Sequence, residues 1–299
     1  MNPLERISEK RKVLEDISYS IGVILNTHKI NYKPNCGDIK ALSKTLLFST
    51  ELSNIIKNFI WLNISQQITV FHFTSEEKAE SIINSQIFRL GSICKRFSEH
   101  EVETFCLSHG LCGWLEIDTN GEKCYKNDMK NTYYGSFADG GLTEKQQQPL
   151  WNRFAQNGGV RLTFKITPST STDISTDINF KKIYYESAPD KPIKILDAFQ
   201  KLAEKHKLKL VLRGQSTLSA FYLPASNYEV EHEYRILIRK WDECIPVSSD
   251  ANSNTWIDIP INSNTKYNLR LDLIDYHACK TPANLPNNCT YSSRLSINS

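Results

Sequence analysis

The chain has 299 residues, of which 40% are hydrophobic and 23% charged, ordinary values for a globular protein able to bury a core. A formal net charge of +3 is too small to argue for nucleic-acid or membrane binding by itself. No run of about 18 uncharged apolar residues is present, and the opening Met1-Asn2-Pro3-Leu4-Glu5-Arg6 lacks the apolar core of a signal peptide. The expectation is a cytoplasmic protein with no membrane partner, unless a dedicated system exports it as an effector.

In chain order, residues from about Leu4 to Ile64 read as helical. Leu14, Ile17, Ile21 and Leu25 recur at helical spacing, Asn31 to Asp38 interrupts the pattern, and Leu42 to Ile60 resumes it as the second arm of a helical hairpin. Ile68-Thr69-Val70-Phe71-His72-Phe73-Thr74 is rich in β-formers and reads as a buried strand. Ser75 then caps a helix whose first turn carries Glu76 and Glu77, where the helix dipole favours carboxylates. A strand is expected at Ile87 to Leu90 and another at Thr104-Phe105-Cys106-Leu107-Ser108. His109 to Gln148 reads as a long loop, a length associated with function or mobility. Pro149 to Ala155 reads as a brief helix stopped by Asn157-Gly158-Gly159, and Val160 to Ile166 as an alternating strand.

Ser169 to Asp177 reads as a polar surface loop, Phe180 to Tyr185 as a strand, and Ile193 to Lys205 as an amphipathic helix with Ile195, Leu196, Phe199 and Leu202 on one stripe. Leu208 to Leu212 is a strand or the end of that helix. Tyr228 to Ile238, Trp256 to Ile261 and Leu269 to Ile274 read as strands, and Thr281 to Ser299 as a polar tail. The implied organisation is a helical extension over 1–66, an α+β domain over 67–280 and a tail over 281–299.

Eight cysteines occur without a C-x-x-C pair. The nearest grouping, Cys106, His109 and Cys112 with Cys124 beyond, lacks the tight pairing of zinc sites, so no metal is expected and the thiols read as reduced.

Three segments carry candidate chemistry. His72 and Thr74 share one face of a buried strand that runs into a helix N-terminus, a ligand-site pattern that a satisfied core histidine would equally produce. Around Leu150-Trp151-Asn152-Arg153-Phe154-Ala155, Trp151 and Phe154 are spaced to pack as a pair. Arg153 and Arg161 suit phosphates through bidentate hydrogen bonds, and equally suit pairing with glutamates. In Tyr228-Glu229-Val230-Glu231-His232-Glu233-Tyr234-Arg235, strand alternation would put Glu229, Glu231, Glu233 and Arg235 on one face. Three carboxylates in a row repel, so either the face is solvated or it serves charge chemistry, such as stabilising an oxocarbenium-like transition state.

The ordered set resembles a widespread bacterial family named only as a domain of unknown function: a strand ending His72-Phe73-Thr74 with a helix after it, then Phe105-Cys106-Leu107-Ser108, then Leu150-Trp151-Asn152-Arg153-Phe154-Ala155 running into Gly158-Gly159-Val160-Arg161-Leu162-Thr163-Phe164, then Glu231-His232-Glu233-Tyr234-Arg235-Ile236. Members carry a Trp-x-x-(Tyr/Phe)-Ala segment and a Glu-x-Glu-(Trp/Tyr)-Arg strand. The resemblance spans roughly Val70 to Arg239; within it Glu229 does not match the motif and reads as solvated.

That family is distantly similar to ADP-ribosyltransferases. The similarity implies a split β-sheet core and NAD as substrate, with an unidentified protein or nucleic acid as acceptor. His72 would bind an NAD ribose, the Phe73 backbone would grip the nicotinamide carboxamide beside Thr74, and Ser108 would stand on the middle strand. Tyr133, Tyr134 or Phe154 would stack on nicotinamide, with Arg161 and Arg235 as further cofactor contacts. Glu231 and Glu233 would be catalytic, one orienting the ribose 2′-hydroxyl and the first activating the acceptor. The family's Ser-Thr-Ser motif has no counterpart on a middle strand. The expected activity is transfer of ADP-ribose to a macromolecule or hydrolysis of NAD, in a toxin or defence setting. A non-catalytic nucleotide- or protein-binding module is the alternative and a nuclease the third reading.

Overall fold

The computed structural model describes residues 3–42, 44–61, 64–96, 99–155, 158–168, 177–186, 193–212, 218–224, 229–240, 245–263 and 267–278. The Ser/Thr-rich segment expected to be a loop, apart from Asp177, and the polar tail lie outside these residues. The architecture is mixed α+β with an N-terminal helix, in agreement with the expected class. Contacts divide the chain into two compact units that interleave in sequence, rather than following the three consecutive segments expected.

The first unit comprises Met1–Leu62, Phe97–Lys130 and Glu186–Pro224. Its helices include Pro3–Thr27, Thr50–Ile60, Glu99–Ser108 and Lys194–Lys205. The last has the expected apolar stripe, with Phe199 meeting Phe48 edge-on at 5.2 Å. Two expectations fail here. Ile39–Leu42 and Thr45–Phe48 form an antiparallel hairpin joined in parallel by Lys209–Val211, whereas Leu42 onward was expected to be helical. Leu46 and Phe48 are buried while Thr45 and Leu47 are half-buried, a period of two that overrides helical propensity. Thr104–Ser108, expected as a strand, is the end of a helix: Val102, Phe105, Cys106 and His109 are buried while Leu107 is exposed, the one-sided pattern of a helix.

The second unit comprises Asn63–Arg96, Asn131–Tyr185 and Ala225–Ser299. Its elements are β1 (Ile68–Thr74), α1 (Glu76–Ser85), β2 (Ile87–Ser92), β3 (Thr132–Asp139), α2 (Glu144–Phe154), β4 (Val160–Pro168), β5 (Asp177–Lys182), β6 (Glu233–Arg239), β7 (Ser248–Ser249), β8 (Thr255–Pro260) and β9 (Leu269–Ala278). The nine strands form one sheet in which β7, β8, β2, β3, β1, β4 and β9 follow one another, while β6 lies between β3 and β5. Strand β3 falls inside the stretch expected to be a long loop. Its signal was the run Thr132-Tyr133-Tyr134-Gly135-Ser136-Phe137, whose β-forming residues the central glycine interrupts.

One edge of β3 pairs with β6 along its whole length. The other edge is shared: Ala138 and Asp139 pair with Phe71 and Val70 of β1, and Tyr133 and Tyr134 pair with Ser92 and Gly91 of β2. The sheet therefore splits beside Gly135–Phe137. A Cβ on Gly135 would stand 2.7 Å from Phe88 and 2.8 Å from Leu90, so glycine is what lets the two branches close over β3.

Across paired strands, directly opposed residues share a face. One face buries Val70, Phe88, Phe137, Leu162, Phe164 and Ile236 in the main core. The other carries Phe71, Phe73, Ala138, Leu142, Leu150 and Trp151 beneath α2. Phe164 is fully buried and meets Phe88 at 5.5 Å and Phe137 at 5.9 Å, both edge-on. Replacing Phe164 with Ala is expected to cost about 3–5 kcal/mol of stability, read from the urea unfolding midpoint by circular dichroism.

Candidate functional site

The glutamate segment does not run as one strand. Glu229–Glu231 forms a single 3₁₀ turn, His232 takes a left-handed φ of 43°, and β6 begins only at Glu233. The His232 carbonyl accepts from the Asp139 N–H at 3.1 Å, which fixes this corner against the end of β3. The expected row of three carboxylates is therefore not built, because a left-handed residue breaks the two-residue alternation it needs. Glu229 is exposed, as the resemblance implied, while Glu231 and Glu233 are buried.

Glu233 and Arg235 do share a face of β6. Arg235 Nε donates to Glu233 Oε1 at 2.7 Å and Nη2 to Oε2 at 2.9 Å, a fork that engages both carboxylate oxygens. Their side chains are 5% and 7% exposed, so the pair is withdrawn from solvent screening. The guanidinium also lies over the ring of Tyr134 at 5.3 Å, on the same face of neighbouring β3. Lys181 of β5 stands opposite Arg235 and is buried too, as is Arg239 further along β6.

Glu231 meets Arg153, in the last turn of α2, at 2.5 Å. Tyr185 joins the group from the segment after β5: its hydroxyl accepts the Glu233 backbone N–H at 2.8 Å. Burial, with the charges of Glu233 and Glu231, holds the Tyr185 hydroxyl well above its usual pKa of 10 despite the Glu233 N–H and Arg235. Glu231, Glu233 and Arg235 thus surround one neutral phenol. Sequence reading missed Tyr185, which carries no signal beyond a tyrosine at the end of an expected strand.

The remaining expected residues separate. His72 lies on the core face: its ring is 5.0 Å from Phe88 and 5.8 Å from Phe137, and Nδ1 donates to the Ser136 carbonyl at 3.0 Å. Phe71, its neighbour, opposes Ala138, which in turn opposes Glu233, so His72 and Glu233 project from opposite faces of the sheet. His72 fills the split in the sheet and satisfies a carbonyl there. Thr74 shares its face and is buried. Phe73 is on the opposite face, packed edge-on against Trp151 at 5.0 Å. Tyr133 is buried in the main core.

Phe154 is 44% exposed under the Arg153 guanidinium, so the expected Trp151–Phe154 pair is not formed. Arg161 is on β4, three strands from β6, roughly 14 Å at about 4.8 Å per strand. Ser108 ends a helix of the first unit rather than occupying a middle strand. Among the described residues no group of three His, Cys, Asp or Glu side chains stands at metal-binding geometry. Thus Glu231, Glu233, Arg235 and Tyr134 come together, Phe154 lies beside Arg153, the partner of Glu231, and His72 and Arg161 stand apart from them in the sheet.

Arg235→Met is expected to cost about 3–5 kcal/mol, because it leaves Glu233 buried without its counter-charge, whereas Glu233→Leu with Arg235→Met should restore most of the loss. Urea unfolding of the two variants checks this. The raised Tyr185 pKa implies a stabilisation that is complete below about pH 10, where the unfolded phenol keeps its proton, and is lost as pH rises above that. Tyr185→Phe should remove this share of the alkaline loss, measured as the difference between the two pH–stability curves. Compared with known proteins, the chain matches no family model, no curated protein and no solved structure.

Proposed function

We propose that the chain is an ADP-ribosyltransferase-like enzyme that uses NAD, acting at the Glu231–Glu233 corner rather than around His72. The observation that carries the proposal is the convergence of two buried glutamates, their arginine partners and the Tyr185 hydroxyl at the start of β6. The resemblance of Glu231-His232-Glu233-Tyr234-Arg235 to the glutamate strand of that enzyme class supplies the substrate.

In this reading Glu233, oriented by Arg235, hydrogen-bonds the ribose 2′-hydroxyl and faces the positive charge that develops at C1′ as the glycosidic bond breaks. The bonding pair leaves with nicotinamide. An oxygen of the macromolecular acceptor, or of water, bonds to C1′ and gives its proton to Glu231. Of the aromatic residues expected to stack on nicotinamide, Tyr134 is the one whose ring lies against the Arg235 guanidinium of this pair, at 5.3 Å.

A specific observation favours a second reading, a nucleotide-binding module without turnover: both oxygens of Glu233 are already held by the Arg235 fork. The full chain incubated with NAD labelled in the nicotinamide ring separates the two. The enzyme reading expects nicotinamide release that falls by about a hundredfold or more in Glu231→Gln and in Glu233→Gln. Unchanged release in both variants would sink the assignment of these residues. Calorimetric binding of NAD with no release supports the binding module instead.

A further inference from the structure

We propose that His109 is an acid-sensitive latch in the first unit: a proton taken onto its buried ring would release the C-terminal turn of the helix Glu99–Ser108. The segment reads Phe105-Cys106-Leu107-Ser108-His109-Gly110-Leu111. Gly110 takes a left-handed φ of 64°. Its N–H donates to the Leu107 carbonyl at 3.2 Å, and the Leu111 N–H donates to the Cys106 carbonyl at 2.8 Å. These two bonds are the glycine stop that closes a helix. His109 stands immediately before that glycine and is 1% exposed.

The turn is held from three elements. Within its own helix, His109 Nδ1 donates to the Phe105 carbonyl at 2.8 Å. A carbonyl can only accept, so Nδ1 carries the proton of the neutral ring and Nε2 the lone pair. The His109 ring lies 4.5 Å from that of Phe105 and 5.4 Å from that of Tyr222, on the strand Tyr222–Pro224. Phe105 and Tyr222 meet edge-on at 5.1 Å and both are buried. The third element is the helix Lys194–Lys205, which closes on Gly110: a Cβ there would stand 2.3 Å from the Gln200 side chain. Nε2 is buried and has no hydrogen-bond partner among the described residues.

A neutral ring suits this box and a charged one does not. Protonation adds an N–H at Nε2, buried among aromatic carbons without an acceptor. The titratable groups on the packed elements are engaged elsewhere. On the helix Lys194–Lys205, Asp197 accepts from Lys201 at 2.8 Å and Glu204 from Gln200 at 2.9 Å. On the helix Glu99–Ser108, Glu103 is paired with Lys123. The strand contributes Tyr222, a phenol. Burial accordingly pushes the His109 ring below its ordinary 6.5, against the opposing pull of the Phe105 carbonyl and the Asp197 charge. With a lowered pKa in the closed form, the stability of the neutral ring is complete above 6.5 and is lost as pH falls below it, because the opened chain takes the proton first. The opened turn would bare Phe105, Leu111 and Tyr222, which the closed form buries.

The latch does not rest on the glutamate corner. Its test is hydrogen–deuterium exchange of the full chain at about pH 7.5 and about pH 5, on either side of the ordinary histidine range, corrected for the intrinsic pH dependence of exchange. Protection of Glu99 to Leu111 is expected to fall by about tenfold at the lower pH, while that of β4 in the second unit holds. The fall should vanish in His109→Phe, which refills the box without a titratable ring, and in His109→Gln, which can still donate to the Phe105 carbonyl. Circular dichroism at the higher pH certifies each fold, and if one variant is misfolded the other decides. In the wild type the His109 ring signal in nuclear magnetic resonance should titrate with the same midpoint as the loss of protection, which decides the case if neither variant folds. Constant protection in the wild type, an equal fall in the folded variants, or a ring that titrates without loss of protection overturns the proposal.

Discussion

A β-strand has only two hydrogen-bonding edges, and in this protein that limit is met on β3. One edge is given wholly to β6. The other is divided between β1 and β2, which leaves a gap beside Gly135–Phe137. Two residues fit the gap: Gly135, where a side chain would collide with Phe88 and Leu90, and His72, which closes it with a bond to the Ser136 carbonyl. Because β6 rides on the undivided edge, Glu233 and Arg235 are held in register with Ala138 and Ser136, and the charged corner inherits the rigidity of the sheet centre.

Alternation then sorts the side chains. On one face Phe88, Phe137 and Phe164 pack edge-on or stacked within 5.9 Å of one another. On the other, α2 lays Leu150 and Trp151 over Phe71 and Phe73 and places a polar contact on each flank: Arg153 reaches Glu231, and Gln147 reaches Arg161. Burying Glu233, Arg235, Lys181 and Arg239 carries a desolvation cost that an apolar sheet face would avoid.

Several elements were legible in the residues themselves. Ile68–Thr74 appears with the expected ends, Ser75 caps the helix that follows through the Lys78 N–H, and the stripe Ile195, Leu196, Phe199 and Leu202 is buried as expected. Each is a local pattern with a strong period or a capping residue. The failures have local causes too. Cys106 and Leu107 are apolar enough for a strand, but helical burial selects one and exposes the other. Tyr133 and Tyr134 sit among polar and glycine residues that read as loop, although three neighbouring strands pair with theirs.

The sequence by itself determined which residues can carry charge chemistry: the pair Glu231 and Glu233, Arg235 two residues on, and arginines at 153 and 161. It also determined that His72 and Phe73 face opposite ways, because alternation along a strand is a property of the backbone. Only the tertiary structure decided which of them meet. A left-handed His232 takes Glu231 off the strand, a split sheet turns His72 into a structural plug on the far face, and one inserted residue in β9 turns Asp275 and His277 outward. The physical reason is that pairing partners and face assignments depend on strands distant in the chain. A one-residue change of register, which no local pattern records, moves every later side chain to the other side of the sheet.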